Sequence, residues 1–279
     1  MSNGILKGKR GIIFGALDSK SIAWKVAEHA KAEGAEIVLT NAPIALRMGT
    51  INELAEKINS IVIPADATNM EDLKNLYEKS VEHLGGKVDF VLHSIGMSVN
   101  VRKGKKYYEQ NHDWTMKGYD VSALSFHKTI QAAWELDALN EYGSVIGLSY
   151  IAAQRVFHTY NDMADNKAML ESIARSFGYH YGLRRKVRVN TISQSPTDTT
   201  AGSGVAGFDG FYRFANDLSP LGNATSDECA DYCISLFSDY TRKVTMQNLF
   251  HDGGFSFTGM SETAMDTYLK MMEEEKSNK

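Results

Sequence analysis

Tyr160 and Lys167 form the pair in this chain whose types and spacing could do chemistry. A phenol donates one hydrogen bond and an ammonium three, so together they can polarise a carbonyl oxygen and hold a diol. In Tyr160-Asn-Asp-Met-Ala-Asp-Asn-Lys167, a rotation of ~100° per residue sets both side chains on one helical face, two turns apart. A lysine so placed would favour a polarised or ionised phenol. Chance produces such pairs too, so position has to decide. The preceding run, Gly143 to Ser149 (GSVIGLS), reads as a strand ending in Leu148-Ser149-Tyr150, which brings the pair to the edge of a sheet.

A second group of residues offers backbone and hydroxyl contacts. Gly15 ends a first strand (residues 11 to 16, GIIFGA) and Ser21 opens a helix that runs to Lys31. Such a turn aims backbone N–H groups and a helix N-terminus at a pyrophosphate. Gly15 permits close approach, and Ser21 could both cap the helix and reach a phosphate oxygen. The turn lacks GxGxxG, and an ordinary glycine turn before a capped helix fits the same letters. Asp66, in IPADAT, could accept from an adenine amino group, or be a plain exposed turn aspartate. His93-Ser94-Ile95-Gly96 puts a small glycine at another strand tip, near where a cofactor ribose would lie.

The elements that must position these residues alternate between short β-rich runs and longer amphipathic segments, the pattern of βα units building a parallel sheet. Strands are expected at Glu36 to Thr40, Ser60 to Pro64, Val88 to His93 and Val187 to Ile192, with a last apolar run at Val244 to Phe250. Helices are expected at Ile51 to Asn59, Met70 to His83, Tyr119 to Leu139 and Met163 to Tyr181. Another, Cys229 to Phe237, opens with a Thr225/Glu228 capping box. Residues 97 to 118 look irregular, and Ser195 to about Asn216 reads as a mobile loop with a helical part. No linker or repeat divides the chain. We read residues 1–279 as a single α/β domain, a Rossmann-type doubly wound parallel sheet with helices on both faces.

Composition excludes several classes. The net charge of -4 lacks the basic excess of a nucleic-acid binder, so the runs Arg102 to Lys106 and Arg184 to Arg188 read as solvated loops. Neither a signal-peptide stretch nor ~18 consecutive apolar residues occur, so a soluble cytoplasmic protein without membrane contact is expected. Cys229 and Cys233, spaced i, i+4, suit small core residues. No His/Cys/Glu cluster has metal-ligand spacing and no Ser-His-Asp set stands at strand ends, so neither a metal nor a covalent nucleophile is expected.

Taken together, Gly15-x5-Ser21-Ile22-Ala23, His93-Ser94-Ile95-Gly96, Leu148-Ser149-Tyr150, Tyr160-x6-Lys167, Arg188-Val189-Asn190 and His251-Asp252-Gly253-Gly254-Phe255 resemble the landmarks of the bacterial enoyl-acyl-carrier-protein reductases. The likeness spans nearly the whole chain. Its strongest element, Tyr150-x9-Tyr160-x6-Lys167, differs from the Tyr-x3-Lys of ketoreductase relatives, and no tyrosine here has a lysine four residues later. The resemblance implies that Tyr160 hydrogen-bonds the thioester carbonyl, Lys167 holds the nicotinamide ribose and Tyr150 lines the substrate pocket. It assigns the cofactor to Gly15, Ser21, Ile22, Asp66, Ala67, Ser94, Ile95 and Gly96, and to Thr197, Thr199 and Ala201 after Pro196. Ser98 falls where the backbone meets ligand, and the 195–216 segment covers the substrate. Acyl carrier protein as partner and a homotetramer are also implied.

Two departures qualify this. Thr40-Asn41-Ala42-Pro43 replaces the usual polar or basic reader of the adenosine ribose, and only Arg47 could meet a 2'-phosphate, so NADH is favoured over NADPH. The segment Ala206 to Tyr212 lacks the basic residues the family often offers to the acidic carrier, for which Arg213 or the 102–106 run could substitute. Two rivals stay open: a reductase of the same fold acting on a ketone or another activated alkene, and a dinucleotide sensor without turnover.

Overall fold

The computed structural model describes residues 3–203 and 207–278; Met1, Ser2, Gly204, Val205, Ala206, Lys279 and the side chain of Ala201 lie outside the described residues. The readings of the extreme amino terminus, of Ala201 and of the middle of the covering segment fall partly there.

Runs of branched and aromatic residues become strands because both faces of each are covered. They are β1 (Arg10–Phe14), β2 (Glu36–Thr40), β3 (Ile61–Val62), β4 (Val88–His93), β5 (Leu139–Ser149), β6 (Arg188–Gln194) and β7 (Asn248–His251). Among the described residues these seven form one parallel sheet in the order β3-β2-β1-β4-β5-β6-β7. The winding reverses between β1 and β4, which leaves a crevice over their carboxyl ends. Register keeps those ends level: Phe14 lies beside Thr40 and His93, and His93 beside Gly147.

Helices α1 (Ile22–Ala32), α2 (Pro43–Met48), α3 (Ile51–Lys57), α4 (Met70–Leu84), α5 (Val99–Arg102) and α6 (His112–Tyr119) come first. A wide π turn, Asp120–Leu124, leads into α7 (Ser125–Glu135). Then follow α8 (Asp162–Arg185), α9 (Thr200–Ser203), α10 (Phe208–Leu218), α11 (Ser226–Phe237) and α12 (Glu262–Ser277). One core layer lies under α1, α3 and α11, where Phe90 and Phe237 stack with ring centroids 4.4 Å apart. Cys229 and Cys233 are buried free thiols in this layer, as expected of small core residues. The other layer joins α4, α7 and α8 through Tyr77, Phe126 and Tyr181. Each such buried side chain contributes about 1.5–3 kcal/mol of transfer free energy. The Thr225/Glu228 box forms reciprocally, Glu228 N donating to Thr225 Oγ1 and Thr225 N to Glu228 Oε2.

Several expectations need correction. Residues 97–118 are ordered by polar contacts rather than apolar periodicity: Ser98 and Asn111 cap α5 and α6, and buried Asn100 donates to Thr115 and Asp162. The helix expected at Tyr119 to Leu139 is broken by the π turn and ends before Asp137 (φ 48°), and Leu139 already belongs to β5. Arg188 is no solvated loop residue: its buried guanidinium donates to the carbonyls of Tyr142, Leu236, Ser238 and Thr241, tying β6 to the end of α11. Helices α2 and α12 bury no residue, so neither has the apolar stripe by which a helix is read.

Candidate active site

A cavity of about 400 Å³ opens over the carboxyl ends of β1, β4, β5 and β6. Its floor depends on bare backbone. Gly15 has φ +94°, and a Cβ there would lie 2.1 Å from the Ser94 carbonyl oxygen, so glycine alone lets the two loops meet. At Gly96 a Cβ would come within 2.7 Å of Met163 Cε and 3.8 Å of Lys167 Nζ. These two glycines keep open a groove that suits the pyrophosphate and ribose of a dinucleotide. Ser94, Ile95 and Ile22 line it, as do Thr197 and Thr199 from the other side.

Ser21 also lines the cavity, but it does not cap α1 with its side chain. Its hydroxyl donates to the Asp18 carbonyl at 2.7 Å and accepts from Leu17 N, which shapes the turn instead. Asp66 and Ala67 are not brought to the cavity wall: Asp66 accepts from Thr68 N and Oγ1 to close its own turn, and Ala67 is buried in the core. Arg47 is exposed on α2, whereas Asn41 lines the cavity with its amide held by Ala16 O and Ala42 N.

Tyr160 and Lys167 both line the cavity, though not as two residues of one helix. Helix α8 begins at Asp162, after Asn161 (φ 46°, ψ -137°), whose side chain accepts from Asp162 N and donates to the Lys105 carbonyl. Tyr160 is therefore aimed by a turn, and only Lys167 rides on the helix. Burial pushes the Tyr160 phenol up, and that of Tyr150 further, so both stay protonated donors. Of the two states expected, polarised or ionised, burial disfavours the ionised one. The Tyr150 and Tyr160 rings lie 5.1 Å apart, and the buried Tyr150 hydroxyl has no hydrogen-bond partner among the described residues. An unmet buried donor in a cavity wall marks a place for a ligand acceptor.

Lys167 donates to the Leu148 carbonyl at 2.7 Å. Burial pulls its ammonium down to about 8, opposed by the Glu171 carboxylate one turn on. Glu171 in turn accepts from Ser149 Oγ (2.7 Å) and Gln154 Nε2 (3.2 Å). His93 accompanies them from β4, kept neutral with a value of about 3 by burial first and by Lys167 second. Ser98 is committed on both sides, donating to Asp162 and accepting from Val101 N, so its side chain has little left for a ligand.

The covering segment is pinned to the first βα turn by Thr200 Oγ1 donating to Asp18 at 2.6 Å. Behind it, Phe208 and Phe211 make one cavity wall apolar, with the Phe211 ring edge-on to Tyr150 at 6.0 Å. The sequence reading has both phenylalanines only as part of the substrate-covering segment, has Asn41 and Arg102 in other roles, and does not assign Met163 or Gln194. Asn41 and Gln194 stand at the carboxyl ends of strands, a signal that could have found them. The assembly can donate hydrogen bonds from neutral phenols to an oxygen in an apolar chamber, beside a dinucleotide groove and an ammonium.

A doubly wound sheet with this site at its carboxyl edge defines a short-chain dehydrogenase/reductase. The chain belongs to the enoyl-(acyl carrier protein) reductase family, whose pattern matches residues 15–256. It is 33% identical over 260 residues to enoyl-[acyl-carrier-protein] reductase [NADH] 2 of Rhizobium meliloti, covering 92% of this chain and 95% of that one. The crystal structure of the FabI–NADH complex from Alistipes finegoldii is similar with a TM-score of 0.93 and 64% identity, over 95% of this chain and 94% of that one. The NAD complex of the Anaplasma phagocytophilum enoyl-(acyl-carrier-protein) reductase gives 0.83 and 28%, over 92% and 95%.

Proposed function

We propose that this chain reduces the trans-2 double bond of enoyl-acyl-carrier-protein thioesters with NADH, the final step of the fatty-acid elongation cycle. The observation that carries this reading is the adjacent pair Tyr160 and Tyr150, the latter's buried hydroxyl without a partner among the described residues, lining a cavity with an apolar wall beside the glycine-floored groove. The names of the relatives, NADH-dependent enoyl reductases, agree with it.

NADH would lie along Gly15, Ser21 and Ile22 by its pyrophosphate, with Ser94, Ile95, Gly96 and Lys167 at the nicotinamide ribose. Thr197, Thr199 and Ala201 would meet its amide and phosphates, while Asp66 and Ala67 would stand near the adenine, outside the cavity wall. Bound there, NADH would supply hydride to the β-carbon of the enoyl thioester, and water would supply the balancing proton to the α-carbon. Tyr160 then meets the charge that develops on the thioester oxygen, contributing roughly 3–4 kcal/mol as oxyanion donors do in dry sites. The unpaired hydroxyl of Tyr150 is a second donor for the same oxygen. Ser98 would contribute backbone contact, since its hydroxyl is engaged with Asp162. Phe208 and Phe211 exclude water and bed the acyl chain.

In this reading residues 1–279 are one domain with a substrate cover at 195–216, acting as a homotetramer in the cytoplasm. Exposed Phe257, Met260, Tyr268 and Leu269 supply apolar surface for such assembly, and no helix among the described residues is long and apolar enough to cross a membrane. The test is loss of NADH absorbance on adding a trans-2-enoyl thioester, with NADPH assayed separately. If cofactor binds yet no enoyl thioester is reduced, the reading falls in favour of another reductase or a sensor.

A further inference from the structure

Arg102, Lys103, Lys105 and Lys106 are all exposed, within five residues of chain, and none makes an ion pair among the described residues. Four unpaired cations repel one another, so such a cluster costs stability unless it meets a negative partner. The cluster touches the site from two directions. Arg102 lines the cavity itself, and the Lys105 carbonyl accepts from Asn161 Nδ2 at 2.6 Å, one residue from Tyr160. The same loop is clipped again by Gln110 Nε2 donating to Asn161 Oδ1, and by the Tyr107 hydroxyl donating to Asp165 at 3.3 Å. Glu109, three residues beyond the run and also exposed, is tied to the backbone by accepting from Lys106 N at 3.3 Å.

The alternative cation, Arg213 on α10, is in a poorer setting. It is 3.7 Å from Asp217, and Asp209 makes the helix net acidic. We infer that the 102–106 run, and not the covering helix, is the docking surface for an acidic face of acyl carrier protein, which it holds at the mouth of the cavity beside Tyr160. The inference rests on the reading of the chain as an enoyl-thioester reductase. A carrier held there delivers its pantetheine arm past Arg102 towards the phenols.

The test compares two substrates: a trans-2-enoyl carrier protein and the same acyl group on pantetheine, which has no carrier. The variant is Lys103→Glu/Lys105→Glu/Lys106→Glu, with Lys103→Gln/Lys105→Gln/Lys106→Gln as the milder form and Arg213→Glu as the comparison. At low salt the reversed variant should raise KM for the carrier substrate by about tenfold or more with kcat little changed, since rim charges act on encounter. The neutral variant should show a smaller rise, Arg213→Glu none, and the pantetheine substrate the same KM throughout. Added salt should narrow the gap between unmodified protein and variant. An unchanged carrier KM, a larger effect from Arg213→Glu, or an equal loss on both substrates in both lysine variants overturns the inference. If the unmodified protein reduces neither substrate, it is the enoyl reductase reading that fails instead.

Discussion

Burial raises the Tyr160 phenol above its ordinary range, and in the proposed reading its contribution is a hydrogen bond to developing charge. Tyr160→Phe removes that donor and keeps the ring, so kcat should fall by about 10²–10³ while the Kd for NADH, read by fluorescence titration, stays unchanged. An unaltered kcat would remove Tyr160 from the role. Lys167 predicts a pH dependence. Its ammonium sits near 8 in the fold against an ordinary 10.5, so between those values the unfolded chain holds the extra proton. Stability from this group is therefore fully present above 10.5 and is lost as pH falls through about 8. Cofactor binding runs the other way, because a ribose needs the ammonium as donor: the Kd for NADH should rise as pH passes about 8. Glu171→Gln removes the opposing carboxylate and should move that midpoint to lower pH. A Kd that stays level from about pH 7 to 9 would exclude Lys167 as a ribose ligand.

At the scale of elements, the start of α8 does the positioning. Asn161, at φ 46°, joins a turn that aims Tyr160 to a helix that carries Lys167 and Glu171. Side-chain caps and buried amides order the flanking 97–118 loop, where apolar spacing says little. The Thr225/Glu228 box was readable because a cap is a local event, complete within four residues. Thr225→Ala should cost about 1 kcal/mol, seen as a Tm lower by roughly 2–4 °C with kcat unchanged, since Thr225 does not line the cavity. A drop in kcat equal to the drop in stability would show that α11 reaches the site.

Over the whole molecule, the reversal of winding between β1 and β4 is what makes a site. It presses the loop after β1 against the loop after β4, so that Gly15 touches the Ser94 carbonyl across two distant parts of the chain. Gly15→Ala should suffer twice: about 1–3 kcal/mol for a side chain in the left-handed region, and a clash that forces the loops apart. A lower Tm and NADH binding weakened by more than about tenfold are expected, because the groove itself is deformed. Unchanged binding in Gly15→Ala would mean the pyrophosphate lies elsewhere.

What the sequence determined by itself was whatever local patterning encodes. Apolar runs bounded by turns marked the strands, strand tips pointed to Gly15, Ser94 and Gly96, the x6 spacing to Tyr160 and Lys167, and the family resemblance to Tyr150, all of which line one cavity. Tertiary structure decided the rest, because burial and long-range hydrogen bonding have no local signature. It turned Arg188 from a charge in a basic run into a buried tie between β6 and α11, and engaged Asp66 in its own turn. It gave Tyr160 to a turn instead of a helix and raised its phenol by desolvation. It also brought Phe208 and Phe211 over Tyr150, since only a folded chain can set residues some sixty positions apart into one dry wall.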